Sequence, residues 1–278
     1  MILTGKAKLA GVIGWPIAHS RSPRLHGFWL DRHRIDGAYV PLAIAPENIE
    51  TALKGLAAAG FRGLNVTLPH KLAVYAACDT IDDNARRIGA VNTIVFGDDG
   101  KMHGSNTDAF GFVENIRQNS RWRSGGVAVV LGAGGAARAV CVALIDAGVT
   151  EIRVLNRTRE RADALARDLG RPLVVADWSR RADLLADATM LVNTTSLGMT
   201  GQPPLDIDLD ALPGDAVVND IVYVPLETGL LAAARARGNE VVDGLGMLLH
   251  QARPGFEAWF GVRTEVTGEL RDFVMETE

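Results

Sequence analysis

The amino-acid sequence predicts an α/β fold of two domains: an N-terminal α/β domain with a mostly parallel sheet, and a dinucleotide-binding domain of the Rossmann type. Strand-like and helix-like segments alternate along the 278 residues, as in parallel sheets covered by helices. A buried strand at residues 127–131 runs into a glycine-rich turn and a helical pattern. Two helical patterns follow the last strand, and we expect them to pack on the first domain. The predicted domains are residues 1–107 with 244–278, and residues 108–243.

Turn and cap residues mark the elements of the first domain. Ser22 and Pro23 have the residue types of an N-cap and a first helical position, so we expect a helix to begin there. Gly60 marks the end of the next helix. The strand candidates are residues 9–13, 38–44, 63–68 and 91–96, and the further helix candidates are residues 46–59 and 70–77.

The second domain is predicted to begin with a helix at residues 108–119. After the glycine turn, Ala162, Leu165, Ala166 and Leu169 recur at helical spacing and form an apolar stripe. The strand candidates are residues 151–155, 173–176, 190–193, 216–219 and 240–242. The further helix candidates are residues 227–237, 246–260 and 265–275.

Residues 127–139, VAVVLGAGGAARA, contain the spacing of a dinucleotide-binding turn. Gly132 permits the tight turn, Gly134 lets the backbone approach a pyrophosphate, and Ala137 allows close packing of the helix on the strand. The N-terminus of the following helix supplies free N–H groups and the positive end of the helix dipole. Because a strand and a helix flank the turn, the pattern predicts a nucleotide site.

The end of the next strand indicates which nucleotide is bound. An NAD site usually has Asp or Glu there, which accepts a hydrogen bond from the ribose 2′-hydroxyl. This chain has Asn156-Arg157-Thr158 instead, with Arg159 and Arg161 close behind. A carboxylate would repel a 2′-phosphate, whereas guanidinium groups bind one with paired donors. The sequence therefore favours NADP over NAD; the alternative is that these arginines form a solvated helix start.

Composition excludes several other classes of function. The net charge is −4 and there is no basic block outside residues 157–161, so a nucleic-acid surface is not expected. No apolar stretch is long enough for a membrane span or has the pattern of an export signal, so we expect a soluble cytoplasmic protein. Cys78 and Cys141 are interpreted as buried small apolar residues. No metal site is expected from the histidine spacing, which involves His19, His26, His70, His103 and His250.

Lys71 is the candidate proton donor. The chain contains 24 arginines and only five lysines, and lysine, unlike arginine, can release its proton. Hydride transfer to a ketone needs an acid that protonates the developing alkoxide, and Asp108 could orient the Lys71 ammonium. Taken singly, these residues also fit structural roles: Lys71 as an exposed helix residue, and Asp108 and Ser22 as helix caps.

Seven short motifs occur in one order from residue 20 to residue 252: SRSPRLH, NVTLPHK, GAVNT, NTDAFG, GAGGAARA, NRT and GMLLHQA. In order and spacing the chain resembles the shikimate dehydrogenase family over nearly its whole length. The resemblance implies reversible, NADPH-dependent reduction of 3-dehydroshikimate to shikimate, in the route to chorismate and aromatic amino acids. It also implies a small hydroxylated acid as the substrate.

The resemblance further implies a role for each residue that matches a family motif. Ser20 and Ser22 would bind the substrate carboxylate, with Tyr223 nearby, and Lys71 and Asp108 would form the catalytic pair. The residues implied to bind the substrate hydroxyl groups are Thr67, Asn92, Asp108 and Gln251. The residues implied to bind NADP are Gly132, Ala133, Gly134, Gly135 and Ala136 at the pyrophosphate, Asn156, Arg157, Thr158 and Arg161 at the 2′-phosphate, and Met247 near the nicotinamide.

The chain departs from the family pattern at three positions, with Arg21 for a common Lys, Gly27 for a frequent Asn and Thr194 for a common Ala. Two other functions stay open at this point. One is a quinate/shikimate dehydrogenase that also uses NAD, and the other is a non-catalytic NADP-binding sensor. We expect the domains to close over the substrate, and the protein to be a monomer or a homodimer.

Overall fold

The structure, a computed structural model, describes residues 2–122 and 124–276. It has the predicted α/β fold class and divides into two compact units. The N-terminal unit comprises residues 1–107 and 249–278, and the central unit comprises residues 108–248. The second boundary lies at residue 249 rather than at the predicted residue 244, because the division falls inside a long helix.

A six-stranded sheet forms the core of the N-terminal unit. Its strands are β1 (Lys8–Gly14), β2 (Gly37–Ala43), β3 (Phe61–Val66), β4 (Thr80–Ile81), β5 (Thr93–Phe96) and β6 (Met102–Ser105). The strand order is β2-β1-β3-β5-β6-β4. The pairs β1–β2, β1–β3 and β4–β6 are parallel, whereas β3–β5 and β5–β6 are antiparallel. The sheet is therefore mostly parallel, as predicted, with an antiparallel hairpin inserted into it.

The helices of this unit are α1 (Ser22–Arg32), α2 (Ile49–Ala58), α3 (Lys71–Ala77) and α4 (Asp83–Ile88). The prediction that Ser22 is the N-cap of α1 was wrong. The N-cap is Arg21, which already has helical backbone angles, and Ser22 is the first helical residue. The reason is that the Ser22 N–H is donated to Ser20 Oγ at 3.3 Å, so Ser20 takes over part of the capping role.

Three short elements of this unit were not predicted, namely β4, α4 and β6. The four residues of β6 include a glycine and have no apolar alternation, and they become a strand by pairing with β5. Helix α4 has a local start and stop: the Asp82 carboxylate accepts the Ala85 N–H at 2.6 Å, and Gly89 ends the helix with a φ of +73°.

The central unit contains a second six-stranded sheet. Its strands are β7 (Val127–Leu131), β8 (Glu151–Leu155), β9 (Leu173–Ala176), β10 (Ala188–Asn193), β11 (Val217–Asp220) and β12 (Glu240–Val242). The order is β12-β11-β10-β7-β8-β9, and every pair is parallel. This is the doubly wound Rossmann order, in which the strand order reverses between β7 and β10. Ligands of this fold bind outside the carboxyl ends of the strands at that point.

The remaining helices are α5 (Asp108–Asn119), α6 (Gly135–Asp146), α7 (Arg159–Leu169), α8 (Gly229–Ala236), α9 (Leu245–Phe260) and α10 (Gly268–Met275). As predicted, the tail packs on the N-terminal unit. Trp259 of α9 donates its indole N–H to the Ile94 carbonyl of β5 at 2.9 Å. Arg24 of α1 donates to the Phe273 carbonyl of α10 at 2.7 Å.

Candidate active site

The glycine-rich turn lies at the carboxyl end of β7, where the central sheet reverses its strand order. Gly132 has a φ of +110°, and a Cβ there would lie 2.5 Å from Thr194 Oγ1, so the position requires glycine. Gly134 has an extended backbone and is the N-cap of α6, without a side-chain cap. A Cβ at Gly134 or Gly135 would meet no atom within 4 Å. The turn therefore leaves open space in front of free helix N–H groups, which fits a pyrophosphate.

The arginines that follow β8 differ in their contacts. Arg159 forms ion pairs with Asp177 and with Asp163. Arg157 and Arg161 are exposed, and their guanidinium groups have no hydrogen-bond or ion-pair partner within residues 2–122 and 124–276. Arg157 and Arg161 are thus available to bind an anion, whereas Arg159 is paired with a carboxylate in α7 and with one that directly follows β9.

Asn156 and Thr158 form the turn between β8 and α7. The Asn156 side-chain amide donates to the Thr158 carbonyl at 2.7 Å. Thr158 is the N-cap of α7, and its side chain makes no cap hydrogen bond. The Thr158 hydroxyl and the first N–H groups of α7 therefore lie beside the two available arginines, and together these donors fit a 2′-phosphate.

Buried polar side chains form a network at the carboxyl end of β3 and the amino end of β5 in the N-terminal unit. Tyr39 donates its hydroxyl to Asn65 Oδ1 at 2.6 Å, and Asn65 Nδ2 donates to Thr93 Oγ1 at 3.2 Å. Burial raises the pKa of Tyr39 above its ordinary value, and an interaction with the Ser22 side chain opposes this shift. The network therefore connects a predicted substrate residue, Ser22, with the start of β5.

A second part of the network joins Asn92, Thr107 and Gln251. Asn92 Oδ1 accepts the Thr107 N–H at 2.9 Å, and Asn92 Nδ2 donates to Thr107 Oγ1 at 3.0 Å and to Gln251 Oε1 at 3.4 Å. The Thr107 hydroxyl also contacts the Gln251 main-chain carbonyl at 2.8 Å. Two residues predicted to bind hydroxyl groups, Asn92 and Gln251, are thus in direct contact.

The other predicted residues of the N-terminal unit lie on loops and helix starts. Ser20 is half-buried and adjacent in sequence to the start of α1. Thr67 follows β3, and its N–H is donated to the Ile13 carbonyl at 3.0 Å. Lys71 is the first residue of α3, and its carbonyl accepts the Val91 N–H at 3.1 Å. That hydrogen bond places the start of α3 beside the segment that carries Asn92.

Three further predicted residues, which lie neither in the glycine turn nor after β8, belong to the central unit. Asp108 is the first residue of α5 and is buried. Tyr223 follows β11 and is half-buried, and Met247 is a buried residue in the first turn of α9. The pairing of Asp108 with Lys71, which belongs to the other unit, stays a prediction.

Four residues of the buried network were not assigned a role by the sequence analysis, namely Tyr39, Asn65, Thr93 and Thr107. Tyr39 lies within a strand that reads as ordinary core, and no local pattern distinguishes it. Thr107 belongs to the NTD motif, and its position between Asn106 and Asp108 was the only available signal.

Within the described residues, no group of three or more His, Cys, Asp or Glu side chains could hold a metal ion. Burial raises the pKa of the Cys78 thiol to about 11 and that of the Cys141 thiol to about 12, so both are protonated and unreactive at neutral pH. The structure contains no described helix long and apolar enough to cross a membrane.

The strand order and the open glycine turn define a dinucleotide-binding protein of the Rossmann class. Residues 12–94 match the shikimate dehydrogenase substrate binding domain, and residues 117–198 match the shikimate/quinate 5-dehydrogenase family. The chain therefore belongs to the shikimate dehydrogenase family.

Individual relatives agree with this membership. The chain is 63% identical to a shikimate dehydrogenase (NADP(+)) of Paramagnetospirillum magneticum, over 98% of this chain and 100% of that protein. A Thermus thermophilus shikimate 5-dehydrogenase, solved with NADP(H) and shikimate, has a TM-score of 0.86 at 37% identity and covers 96% of this chain and 98% of its own. A Corynebacterium glutamicum quinate dehydrogenase, solved with NAD, has a TM-score of 0.89 at 33% identity, with the same coverage of 96% and 98%.

Proposed function

We propose that this protein catalyses the reversible NADP-dependent reduction of 3-dehydroshikimate to shikimate, in the route to chorismate and aromatic amino acids. The observation that carries the proposal is the similarity, over nearly the whole chain, to an NADP-dependent shikimate dehydrogenase. The site agrees with it, because one unit has an open pyrophosphate turn and the other has a cluster of neutral polar side chains.

The nucleotide site favours NADP for two reasons. The free guanidinium groups of Arg157 and Arg161 supply positive charge where a 2′-phosphate would lie. Asn156 occupies the position at which an NAD site usually has a carboxylate. Gly132–Ala136 would bind the pyrophosphate through main-chain N–H groups, and Met247 would contact the nicotinamide. When bound, NADPH supplies the hydride.

The substrate site is proposed to lie on the N-terminal unit. Ser20 and Ser22 would donate their hydroxyls to the substrate carboxylate, with Tyr223 nearby. The hydroxyl groups of the ring would be bound by Thr67, Asn92, Asp108 and Gln251. Because the Asn92 and Gln251 side chains contact each other, the site holds both in one orientation before the substrate arrives. A site that bonds each hydroxyl rejects analogues that lack one.

Lys71 and Asp108 are the proposed catalytic pair. Reduction of the ketone leaves negative charge on the substrate oxygen, and the Lys71 ammonium would donate a proton to that oxygen. In the reverse direction the neutral Lys71 amine would take the proton from the alcohol. The Asp108 carboxylate would orient the ammonium group and bind a substrate hydroxyl.

The test is an absorbance assay of nicotinamide reduction with four combinations: shikimate or quinate, each with NADP or NAD. We expect fast reduction only with shikimate and NADP. Comparable rates with quinate or NAD would instead support the broader quinate/shikimate dehydrogenase. Binding of NADP without any turnover would support the sensor. The predicted cytoplasmic location and the monomeric or homodimeric state are proposed with this function and need separate measurements.

A further inference from the structure

Asp220 is a buried carboxylate that the proposed chemistry does not use. It is the last residue of β11 and has no exposed surface. Its Oδ1 accepts from Asn193 Nδ2 and from the Val222 N–H, both at 3.0 Å, and its Oδ2 accepts from Thr228 Oγ1 at 2.7 Å. All three donors are neutral, and no cationic side chain among the described residues pairs with Asp220. Burial raises the pKa of Asp220 to about 6.

One of these donors, Asn193, connects the carboxylate to the nucleotide turn. Asn193 Oδ1 accepts from the Thr195 N–H at 3.0 Å and from the Thr195 hydroxyl at 2.7 Å. Thr194, which lies between Asn193 and Thr195 in the sequence, donates its N–H at 2.8 Å and its hydroxyl at 2.7 Å to the Leu131 carbonyl. Leu131 directly precedes Gly132, and Thr194 is the residue that a Cβ at Gly132 would meet. The segment after β10 therefore packs directly against the pyrophosphate turn.

The other two donors connect the carboxylate to the segment that follows β11. Val222, whose N–H is donated to Asp220, directly precedes Tyr223. Thr228 is the N-cap of α8, and its oxygen accepts the Leu231 N–H at 3.4 Å. One carboxylate therefore ties together the two loops at the carboxyl ends of β10 and β11, next to the point where the sheet reverses its strand order.

We propose that Asp220 is a positioning residue for the cofactor, acting through Asn193 and the Thr194–Thr195 segment to hold the glycine turn in its binding geometry. The proposal rests on the proposed function for the identity of the cofactor, NADP. A carboxylate suits this role because its oxygens accept three hydrogen bonds at once without donating one. A carboxamide at this position has only one acceptor oxygen. Its NH₂ group would face another donor, or the Thr228 hydroxyl would have to turn its hydrogen away in order to accept.

The test measures NADP⁺ binding and steady-state kinetics in Asp220→Asn and in Thr228→Val. Each variant loses a hydrogen bond to a charged group, and this loss weakens the contacts that hold the glycine turn in its binding geometry. We therefore expect the Kd for NADP⁺ to rise about tenfold in each variant. The KM for NADP⁺ should rise by the same factor, while kcat changes less than about twofold, because the groups that transfer the proton are untouched. Thr228→Ser keeps the hydroxyl and should restore the wild-type Kd.

Asn239→Ala is the matched control. Asn239 is also buried in the central unit, but its amide bonds the Pro213 and Ala216 carbonyls, before the start of β11. We expect this variant to lower thermal stability without changing the Kd for NADP⁺. An unchanged Kd in folded Asp220→Asn and Thr228→Val, or an equal rise in Asn239→Ala, would overturn the positioning role. Absence of turnover by the wild-type protein would refute the proposed activity alone, because the Kd is measured without turnover.

Discussion

Replacing His26 by phenylalanine is expected to make the protein markedly less sensitive to acid. His26 lies on α1 with no exposed surface, and its ring stacks on Tyr39 at a centroid distance of 3.9 Å and an interplanar angle of 10°. Neither ring nitrogen has a hydrogen-bond partner among the described residues. Burial lowers the pKa of His26 from 6.5 to about 3, and an interaction with the Asn65 side chain opposes this shift.

The size of the effect follows from proton linkage. Below pH 6.5 the unfolded chain binds a proton at His26, whereas the folded protein stays neutral there until about pH 3. Acidification therefore favours the unfolded state across this window. Between pH 7 and pH 5 the loss in the free energy of unfolding from His26 is about 2 kcal/mol. Asp220 acts in the opposite direction in the same window, because its pKa is raised and the folded protein binds the extra proton.

The assay is urea unfolding at pH 7 and pH 5, followed by tryptophan fluorescence. Trp29 and Trp259 both have ring centroids 5.7 Å from His26 and report on this region. From pH 7 to pH 5, the free energy of unfolding should fall by about 2 kcal/mol less in His26→Phe than in the wild type. Comparison of the two proteins cancels the contribution of Asp220, which both contain.

His33→Phe is the matched control, because His33 is exposed at the C-cap of the same helix. We expect His33→Phe to keep the pH dependence of the wild type. If His26→Phe and the wild type lose the same stability between pH 7 and pH 5, the reasoning that His26 is held neutral by burial is refuted.

Three further predictions concern the site. Lys71→Ala should lower kcat by about 10²–10⁴ with NADP⁺ and shikimate still bound, since it removes the proposed proton donor; steady-state and binding measurements check this. Arg157→Ala should raise the KM for NADP⁺ about tenfold and leave the weak reaction with NAD⁺ unchanged, as measured by the same absorbance assay. Gly132→Ala should lower stability by about 1–3 kcal/mol in urea unfolding, because of its positive φ and its contact with Thr194, whereas Gly134→Ala should fold normally and lose NADP⁺ affinity.

Each of these predictions has a control variant or a result that contradicts it. Lys54→Ala and Arg167→Ala alter exposed residues of α2 and α7, and both should keep wild-type kinetics. Near-normal turnover in Lys71→Ala would exclude it as the proton donor. A parallel loss with NADP⁺ and NAD⁺ in Arg157→Ala would mean that the arginine does not recognise the 2′-phosphate. Equal stability losses at the two glycines would contradict the difference in their surroundings.

The sequence predicted the central sheet more completely than the N-terminal one. The bounds of β7, β8, β9 and β12 agree with prediction, because apolar runs bounded by glycine or polar residues are strong local signals. Strand β6 was missed, since its four residues are ordered by pairing with β5 rather than by their own pattern. The N-cap of α1 was misplaced because the capping contact comes from Ser20, outside the helix.

By itself, the sequence determined the fold class, the glycine turn, the arginine pattern after β8 and the family. Each of these depends on residues close together in the chain or on the order of short motifs, so no tertiary contact is needed to recognise it. Only the tertiary structure decided that Arg159 is engaged by Asp177, which leaves Arg157 and Arg161 available.

The tertiary structure alone also showed that Tyr39 lies between Ser22 and Asn65. It showed too that Asp220 accepts three hydrogen bonds, one from the end of β10 and two from the segment after β11. These contacts join residues up to 27 positions apart, and the side chains involved have ordinary neighbours in sequence. Burial and hydrogen-bond geometry are properties of the assembled chain. For that reason, the chemistry of a buried polar group becomes visible only when the distant residues that surround it have been brought together.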